Sequence, residues 1–522
     1  MTYLRAVLCA ALFLFWQAGQ ASADDITLIA RDGSITLSGT LVGYDGAFYR
    51  IETDYGILTV DGSGVSCDGP GCPNLGPFVA DLVISGSQNL GAVLLPALVE
   101  GFARRQGYAL TREEQPGPRI YYTLYEGDGG QEAAHVTIRL TSSGEGFADL
   151  LGHEADIVLS QREVSSRERV MAYEAGMGDL RSRRQARVLA LDALVPVVSP
   201  GNPVRRMSMS QLAAIYAGKI TNWKALGGED APITAYLLTE NTGFTPVFEK
   251  KVISAQGAQL AKNVIRLTDN GELLDAVSRD PFGIGIAPFT DIGGGEVVQL
   301  SGRCGFGVDA TALAIKAEDY PLTTPTYLYL PERRLPQLGR EFLDYLRSDS
   351  AQLVIRRAGF VDQAISDIPL SHQGDRLANA IAQAGPEVTL SDLQRLSAFV
   401  TRQRRLSLTF RFEGGSTYLD APSRSNVTLL ARAFEAGRFD GKQLSFVGFS
   451  DGQGGAEANL KLARKRADAV RRAVLAQVEG FDPERVTLLT EAFGEALPMA
   501  CDENAWGRGV NRRVEIWVNG PG

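Results

Sequence analysis

From residue 78 to residue 365 the sequence alternates between apolar strand-like runs and amphipathic helix-like stretches, and this alternation constrains the fold more than any other feature. Leu82-Val83-Ile84, Asp156-Ile157-Val158-Leu159 and Leu191 to Val198 read as buried strands. Between them, Leu90 to Arg105 places Leu94, Leu98 and Phe102 on one helical face. Ser210 to Ala217 reads as a second helix, stopped by Gly218, and Arg340 to Ala358 as a third that breaks near Ser348-Asp349 and ends at Gly359. Strands that alternate with helices pack as an α/β layer structure with a mostly parallel sheet. At about 290 residues the stretch exceeds what one core usually holds, so two lobes are expected.

The flanking segments follow other patterns. In residues 24–77, turn pairs recur at Asp32-Gly33, Asp45-Gly46, Tyr55-Gly56 and Asp61-Gly62, with alternating apolar positions such as Ile35, Leu37 and Leu41 between them. This predicts a small all-β, barrel-like module, read as an adaptor or spacer. Residues 366–405 hold two helix-like stretches, Asp375 to Ala384 and Leu390 to Arg404, on either side of Gly385-Pro386, and read as a helical connector. Residues 406–522 run in a βαβαβ order: alternating Leu406, Leu408, Phe410 and Phe412, a helix from Ser425 to Ala436, a strand from Leu444 to Val447, a long helix from Ala456 to Val478, and strands at Val486–Thr490 and Val514–Val518. The fold class is therefore multidomain, α/β in the middle and α+β at the C-terminus.

The only long apolar run, Ala6 to Trp16, follows Arg5 and precedes the small-residue stretch Ala21-Ser22-Ala23. Residues 1–23 read as a signal peptide, too short to span a bilayer. Cys9 lies too early for a lipoprotein cleavage site, so a soluble mature chain starting near Asp24 is expected. Export permits disulfides. Cys67 and Cys72 flank the turn Asp68-Gly69-Pro70-Gly71 and are expected to pair, whereas Cys304 and Cys501 stand far apart in sequence and can be free. Lys and Arg number 52 against 61 Asp and Glu, a net charge of −9, which argues against a nucleic-acid partner. The three histidines, His135, His153 and His372, are scattered, so no metal site or cofactor is expected. No HExxH or P-loop pattern occurs, and the chain is read as a non-enzyme.

Near the C-terminus, Asp451-Gly452-Gln453-Gly454 precedes a helix whose apolar stripe is Ala463, Ala467, Val470, Val474 and Val478. Asn459 and Arg466 are seven apart and lie on one line at the edge of that stripe. A carboxylate at the helix start and a guanidinium on the helix suit a zwitterion, with Asp451 taking an ammonium and Arg466 a carboxylate. Further on stands Gly507-Arg508-Gly509-Val510-Asn511-Arg512-Arg513-Val514-Glu515-Ile516. Together these residues resemble the OmpA-like peptidoglycan-binding family, whose pattern of Asp, Gly three on, Asn eight on and Arg fifteen on is met by Asp451, Gly454, Asn459 and Arg466. The resemblance implies that Asp451 and Arg466 hold the diaminopimelate of the peptidoglycan stem peptide, with Asn459 and Arg512 in the same site. Ala463 stands where the family usually has Ser.

In the middle unit, Ser85-Gly86-Ser87-Gln88-Asn89-Leu90-Gly91, Thr141-Ser142-Ser143-Gly144-Glu145-Gly146 and Glu240-Asn241-Thr242-Gly243 each join a strand to a helix, where free N–H groups and hydroxyls can hold an anion. With Gly152 to Ile157, Val195 to Val204 and Gln211 to Gly228, they resemble the phosphate-type substrate-binding proteins of ABC importers. That resemblance implies a type II periplasmic binding fold, two lobes joined by crossing strands near Val195–Pro200 and Ile284–Pro288, and an anion site at Ser87, Ser143, Arg162 and Thr242. The third loop departs: Leu238 replaces the family's Arg, and Phe244 replaces a Thr. Losing an arginine and a hydroxyl costs on the order of 3–5 kcal/mol, or about two to four decades of affinity.

Two functions follow. One is a periplasmic solute-binding protein of a Gram-negative envelope, wall-associated, taking phosphate or a related small anion, with the membrane subunits of an ABC importer as partners. The other is a structural or sensory wall protein whose lobes have lost the anion and bind protein instead.

Overall fold

The computed structural model describes residues 25–519 except 32, 74–77, 115–116, 241–242, 302–306, 414–415, 417 and 503–504. The expected signal peptide, together with Thr242 and Cys304, lies outside the described residues. No helix among the described residues is long and apolar enough to cross a membrane.

The first unit is an antiparallel sheet of β1 (Asp25–Ala30), β2 (Thr36–Tyr44), β3 (Phe48–Thr53), β4 (Gly56–Asp61) and β5 (Val65–Asp68). Its order is β4-β3-β2-β1-β5, which leaves β4 and β5 at the two ends. Ile26, Leu28, Tyr49 and Ile51 form its core. Cys67 and Cys72 are disulfide-bonded with Cα atoms 5.8 Å apart, as the turn between them predicts. The sheet is seated on the middle unit through Asp45, whose carboxylate accepts from Arg340 at 2.6 Å and pairs with Arg334 at 3.0 Å.

The middle unit contains β6 (Ala80–Ser87), β7 (Tyr108–Glu114), β8 (Arg119–Glu126), β9 (Glu132–Thr141), β10 (Ile157–Ser160), β11 (Ala186–Val198), β12 (Arg206–Ser208), β13 (Thr234–Leu238), β14 (Ile265–Leu267), β15 (Gly283–Pro288), β16 (Glu296–Val297), β17 (Gln299–Ser301), β18 (Gly307–Val308) and β19 (Thr323–Tyr329). The main sheet runs β14-β13-β15-β11-β19-β10-β6-β9-β8-β7. Two apolar cores lie along it, one around Leu94, Leu98, Phe102 and Phe342, the other around Leu212, Tyr216, Trp223 and Phe248.

The crossing strands explain the two lobes. In β11, Ala186 to Ala193 pair with β19, and Leu194 to Val198 pair with β15. One long strand thus serves both lobes. The return crossing is β19, which pairs with both β11 and β10. Ile284–Pro288, expected to cross, instead lies between β13 and β11 inside the second lobe. Asp192, in the middle of β11, accepts from the Thr290 amide at 3.2 Å and from the Thr290 hydroxyl at 3.1 Å, which ties the chain leaving β15 to the hinge. Burial pushes the Asp192 carboxyl up to about 7.

The C-terminal sheet comprises β20 (Asp367–Ile368), β21 (Gln403–Arg411), β22 (Lys442–Phe449), β23 (Val486–Gly494) and β24 (Arg513–Asn519). Its order is β20-β21-β24-β22-β23, with β22 and β23 parallel. Helices Ala421–Glu435 and Ala456–Leu475 join the strands. The stretch 366–405 is packed rather than extended. Ala380, Leu396 and Val400 of its two helices share a core with Val447, Phe449, Phe493 and Trp517.

This unit is fastened to the middle unit by buried charge. Arg405 is 0% exposed and grips Asp319 with both terminal nitrogens, one at 2.9 Å. Glu515, also buried, faces Arg405 at 3.2 Å, Arg513 at 2.7 Å, and Arg376. Burial opposes ionisation of Glu515, but the three guanidinium groups outweigh it and hold the carboxyl well below the usual range. The Thr409 hydroxyl donates to the Ala317 carbonyl at 2.7 Å, and Arg411 donates to the Glu318 carbonyl at 2.7 Å. The contacted segment, Ala317 to Asp319, lies just before β19, the return crossing. Cys501, left open by the sequence, is disulfide-bonded and buried.

Candidate functional site

Two candidate sites emerge, one between the lobes and one at the long C-terminal helix. The first is set by topology. β9, β6 and β10 are parallel neighbours, with Ser87 opposite Thr141 and Gly86 opposite Leu159. Their C-terminal ends therefore lie side by side, the edge of an α/β sheet where ligands bind. Gly86 is required at this edge: its φ is 145°, and a Cβ there would sit 2.0 Å from the Leu159 carbonyl oxygen. Ser142 and Glu145 cap helix Ser143–Leu151 reciprocally, which fixes the loop that carries Ser143. The Ser143 hydroxyl accepts from the Gln161 amide at 3.2 Å. Ser87 and Ser143 are thus brought to one edge and are both buried.

Gln161 is the residue that sequence reasoning missed. It is 3% exposed, and among the described residues neither its side-chain oxygen nor its nitrogen has a hydrogen-bond partner. Across the cleft lies Gly243, with φ 77°, where a Cβ would sit 2.3 Å from the Gln161 Oε1. The two lobes meet at this contact. A polar residue just after a buried strand was the available signal, but its position against the opposite lobe could not be read from one segment.

Arg162 follows in the same loop, but its terminal nitrogens reach Glu168 at 2.8 and 2.6 Å, and its guanidinium lies 5.4 Å from the Phe147 ring centroid. Its charge is committed within its own lobe. On the opposite lobe Leu238 and Phe244 are both buried in the apolar core. Arg266 reaches the Leu238 carbonyl at 2.9 Å, but its other nitrogen holds Glu249 at 3.1 Å. The cleft therefore offers hydroxyls and an amide, while these two guanidinium groups are already paired.

The second site forms where β22 passes through Ser450 and Asp451 into helix Ala456–Leu475. Asp451, Asn459 and Arg466 are all buried there. The direct partner of Asp451 is Arg512, at 2.7 Å. Asn459 donates to Glu495 at 2.9 Å. Arg466 is 2% exposed, lies 5.5 Å from the Phe412 ring centroid, and has two nitrogens, Nε and Nη1, with no partner. Burial depresses its pKa and Arg512 adds to this, with Asp451 opposing. Arg513, the next arginine, turns the other way into the buried cluster around Glu515. Ala463 is fully buried where the helix crosses Gly448, and a Cβ on Gly448 would sit 2.0 Å from the Ala463 carbonyl.

Residues 76–350 match the family described as the PBP superfamily domain, and residues 411–512 match the OmpA family. The chain is 29% identical over 164 residues to "Phosphate-binding protein PstS" of Bacillus subtilis (strain 168), covering 31% of this chain and 52% of that protein. It is 34% identical over 108 residues to "Probable lipoprotein YiaD" of Escherichia coli (strain K12), covering 21% of this chain and 47% of that one. The chain thus spans about half the length of each of these relatives. Among solved structures, an ABC-type phosphate transport receptor from Vibrio cholerae aligns at 22% identity with a TM-score of 0.41, over 54% of this chain and 99% of that one.

Proposed function

The chain belongs to the PBP superfamily, and from that premise we propose that it is a periplasmic solute-binding protein for phosphate or a related small anion, held non-covalently to peptidoglycan by its OmpA-family unit. One observation carries this reading: the buried polar groups left without partners include Gln161 and Arg466, one at each candidate site. A buried donor without a partner costs about 1–3 kcal/mol, more if charged, and a ligand that satisfies it recovers that cost.

In the cleft, the hydroxyls of Ser87 and Ser143 and the amide of Gln161 would donate to the anion, and the Gln161 oxygen would accept from a protonated oxyanion. Thr242, given by the family resemblance, joins them in this proposal. At the helix, Arg466 would take the carboxylate of a diaminopimelate-bearing stem peptide through its free nitrogens, and Asp451, oriented by Arg512, would take the ammonium. Asn459 would hold the loop. Neither site performs a covalent step, and the membrane subunits of an ABC importer are the partners this reading implies.

A second reading has specific support. Arg162 and Arg266 are both paired with carboxylates, and Leu238 is core, so an anion in the cleft gains no free cation from any of them. A wall protein whose lobes sense or bind another protein fits that arrangement. Calorimetry with inorganic phosphate separates the two readings. Heat and a thermal shift that disappear in Gln161→Leu support the first, and silence at millimolar phosphate supports the second. Retention of the chain on purified sacculi, lost in Arg466→Ala, tests the wall reading independently.

A further inference from the structure

Between the two lobes and the C-terminal unit lies a cavity of about 740 Å³. Among the described residues it touches the anion loops only through Gln161 and Arg162, and Ser87, Ser143 and Gly243 are not in its wall. All three parts of the chain contribute: Thr324 and Tyr327 from the return crossing, Lys251 and Glu318 from the second lobe, and Phe412, Asp420 and Trp506 from the C-terminal unit. The volume is that of an organic-ligand site and is far too large for a single inorganic oxyanion.

Thr324 is buried in this wall and Lys251, Glu318 and Asp420 are half-buried, with few partners for their polar atoms. Thr324 is 3% exposed and its hydroxyl has no hydrogen-bond partner. Among the described residues Lys251 donates only to the Thr323 carbonyl, at 2.6 Å, and forms no ion pair with a carboxylate. The Glu318 carboxylate comes no nearer to a cation than 3.7 Å, to Arg411. Glu318 also stands in the left-handed region with φ 57°, a conformation that a non-glycine residue adopts at a cost, and it is held there by Arg411 on its carbonyl. Burial pushes Glu318 up to about 7 and Lys251 down to about 8, and the attraction between the two, with Arg411 beside Glu318, offsets this only in part. Asp420 adds a second carboxyl, also raised by burial. Tyr327, Phe412 and Trp506 supply apolar surface beside these charges.

We propose that this three-part cavity is a binding site for a short zwitterionic peptide, its ammonium facing Glu318 and Asp420, its carboxylate facing Lys251, and its body against Tyr327, Phe412 and Trp506. The inference differs from the anion reading of the cleft in that the wall excludes Ser87 and Ser143, and the two sites share only Gln161 and Arg162 at their border. It also gives the docking of the C-terminal unit a role, because without that unit the site has no Asp420, Phe412 or Trp506.

The test is calorimetry on the full chain with tri-alanine in three forms: both ends free, N-acetylated, and C-amidated. The free form is expected to bind, and each blocked form to bind at least about tenfold more weakly, the effect of one charge-assisted hydrogen bond. In Glu318→Gln the N-acetyl penalty should vanish, in Lys251→Met the amide penalty should vanish, and Trp506→Ala should weaken all three forms. The comparison of the three forms on the unaltered chain needs no variant to fold. Equal affinity for the three forms overturns the proposal, as does absence of binding at millimolar tri-alanine. Saturating inorganic phosphate should leave tri-alanine binding unchanged. Displacement by phosphate would overturn it by making the cavity part of the anion site, whereas failure of phosphate to bind at all bears only on the function proposed for the cleft.

Discussion

At the C-terminal helix the Arg466 guanidinium is buried with two nitrogens that hold nothing, whereas in the inter-lobe loops the Arg162 guanidinium is gripped by Glu168 through both terminal nitrogens. The first arrangement is costly in the empty protein, because a buried charge wants a partner. It suits a ligand that brings its own carboxylate. The second arrangement is satisfied as it stands. A cleft of this kind recognises through neutral donors, and each of those contributes less than a charged one. The C-terminal site is therefore expected to give the larger mutational effects, and the cleft the smaller ones.

Four outcomes break or sharpen that contrast. The largest is Arg466→Ala, which should lower affinity for sacculi by two to four decades, as expected for about two charge-assisted hydrogen bonds. Its unfolding free energy should stay within about 1 kcal/mol of the parent, because the replaced atoms were unpaired. Unchanged retention in a sacculus pull-down would mean that another surface reads the wall. Next, Asp319→Asn should cost about 3–5 kcal/mol in urea denaturation, because it leaves three buried guanidinium groups facing one carboxylate. A loss confined to the C-terminal sheet, followed by Trp517 fluorescence, would show that the two regions stand independently after all. Third, Gln161→Leu should weaken phosphate by about ten- to a hundredfold by calorimetry while leaving thermal stability equal or higher, since it removes two unsatisfied atoms. A loss of stability instead would make Gln161 a structural residue and remove the parallel with Arg466.

The fourth effect is in pH, and per pH unit it is the smallest of the four. The folded state holds the Asp192 proton up to about 7, above the ordinary carboxyl value of 3.8. Between roughly pH 4 and 7 the folded chain binds more protons at this group than the unfolded chain does. Stability from Asp192 should fall across that window by at most about 1.4 kcal/mol per pH unit and level off above it. Glu515 moves the opposite way, because its depressed pKa means that its contribution is lost only in strong acid. The slope between pH 4 and 7 should thus flatten in Asp192→Asn, as read from thermal midpoints at each pH. An unchanged slope would place the titrating group elsewhere than the hinge.

How much of this could be read from the sequence differs between the regions for a physical reason. Asp451, Gly454, Asn459 and Arg466 sit on one loop and one helix, so their spacing alone nearly fixes their geometry. What spacing could not show is that Arg512, arriving from a distant turn, would take Asp451. The strand–helix alternation of the middle unit likewise predicts its layers. The site in that unit depends on Gln161 meeting Gly243 across two lobes, and no local pattern encodes a contact between loops about eighty residues apart. The crossing strand was misplaced for a related reason: Ile284–Pro288 and Thr323–Tyr329 are both buried apolar strands, and only the pairing of β19 with β10 distinguishes them. The docking of the C-terminal unit was invisible, because Arg405 and Asp319 look like ordinary surface charges until the two units meet.

The packed stretch 366–405 has a consequence for search. A receptor on a flexible leash explores a volume set by the leash, and its encounters with solute and with a membrane partner both scale with that reach. Here the two helices between the units are spent in the core beside Trp517 instead of serving as a leash, and the neighbouring strand is bolted to Asp319. Once fixed to a wall, such a molecule waits at one address. Solutes must diffuse to it, and any partner must be stationed within touching distance.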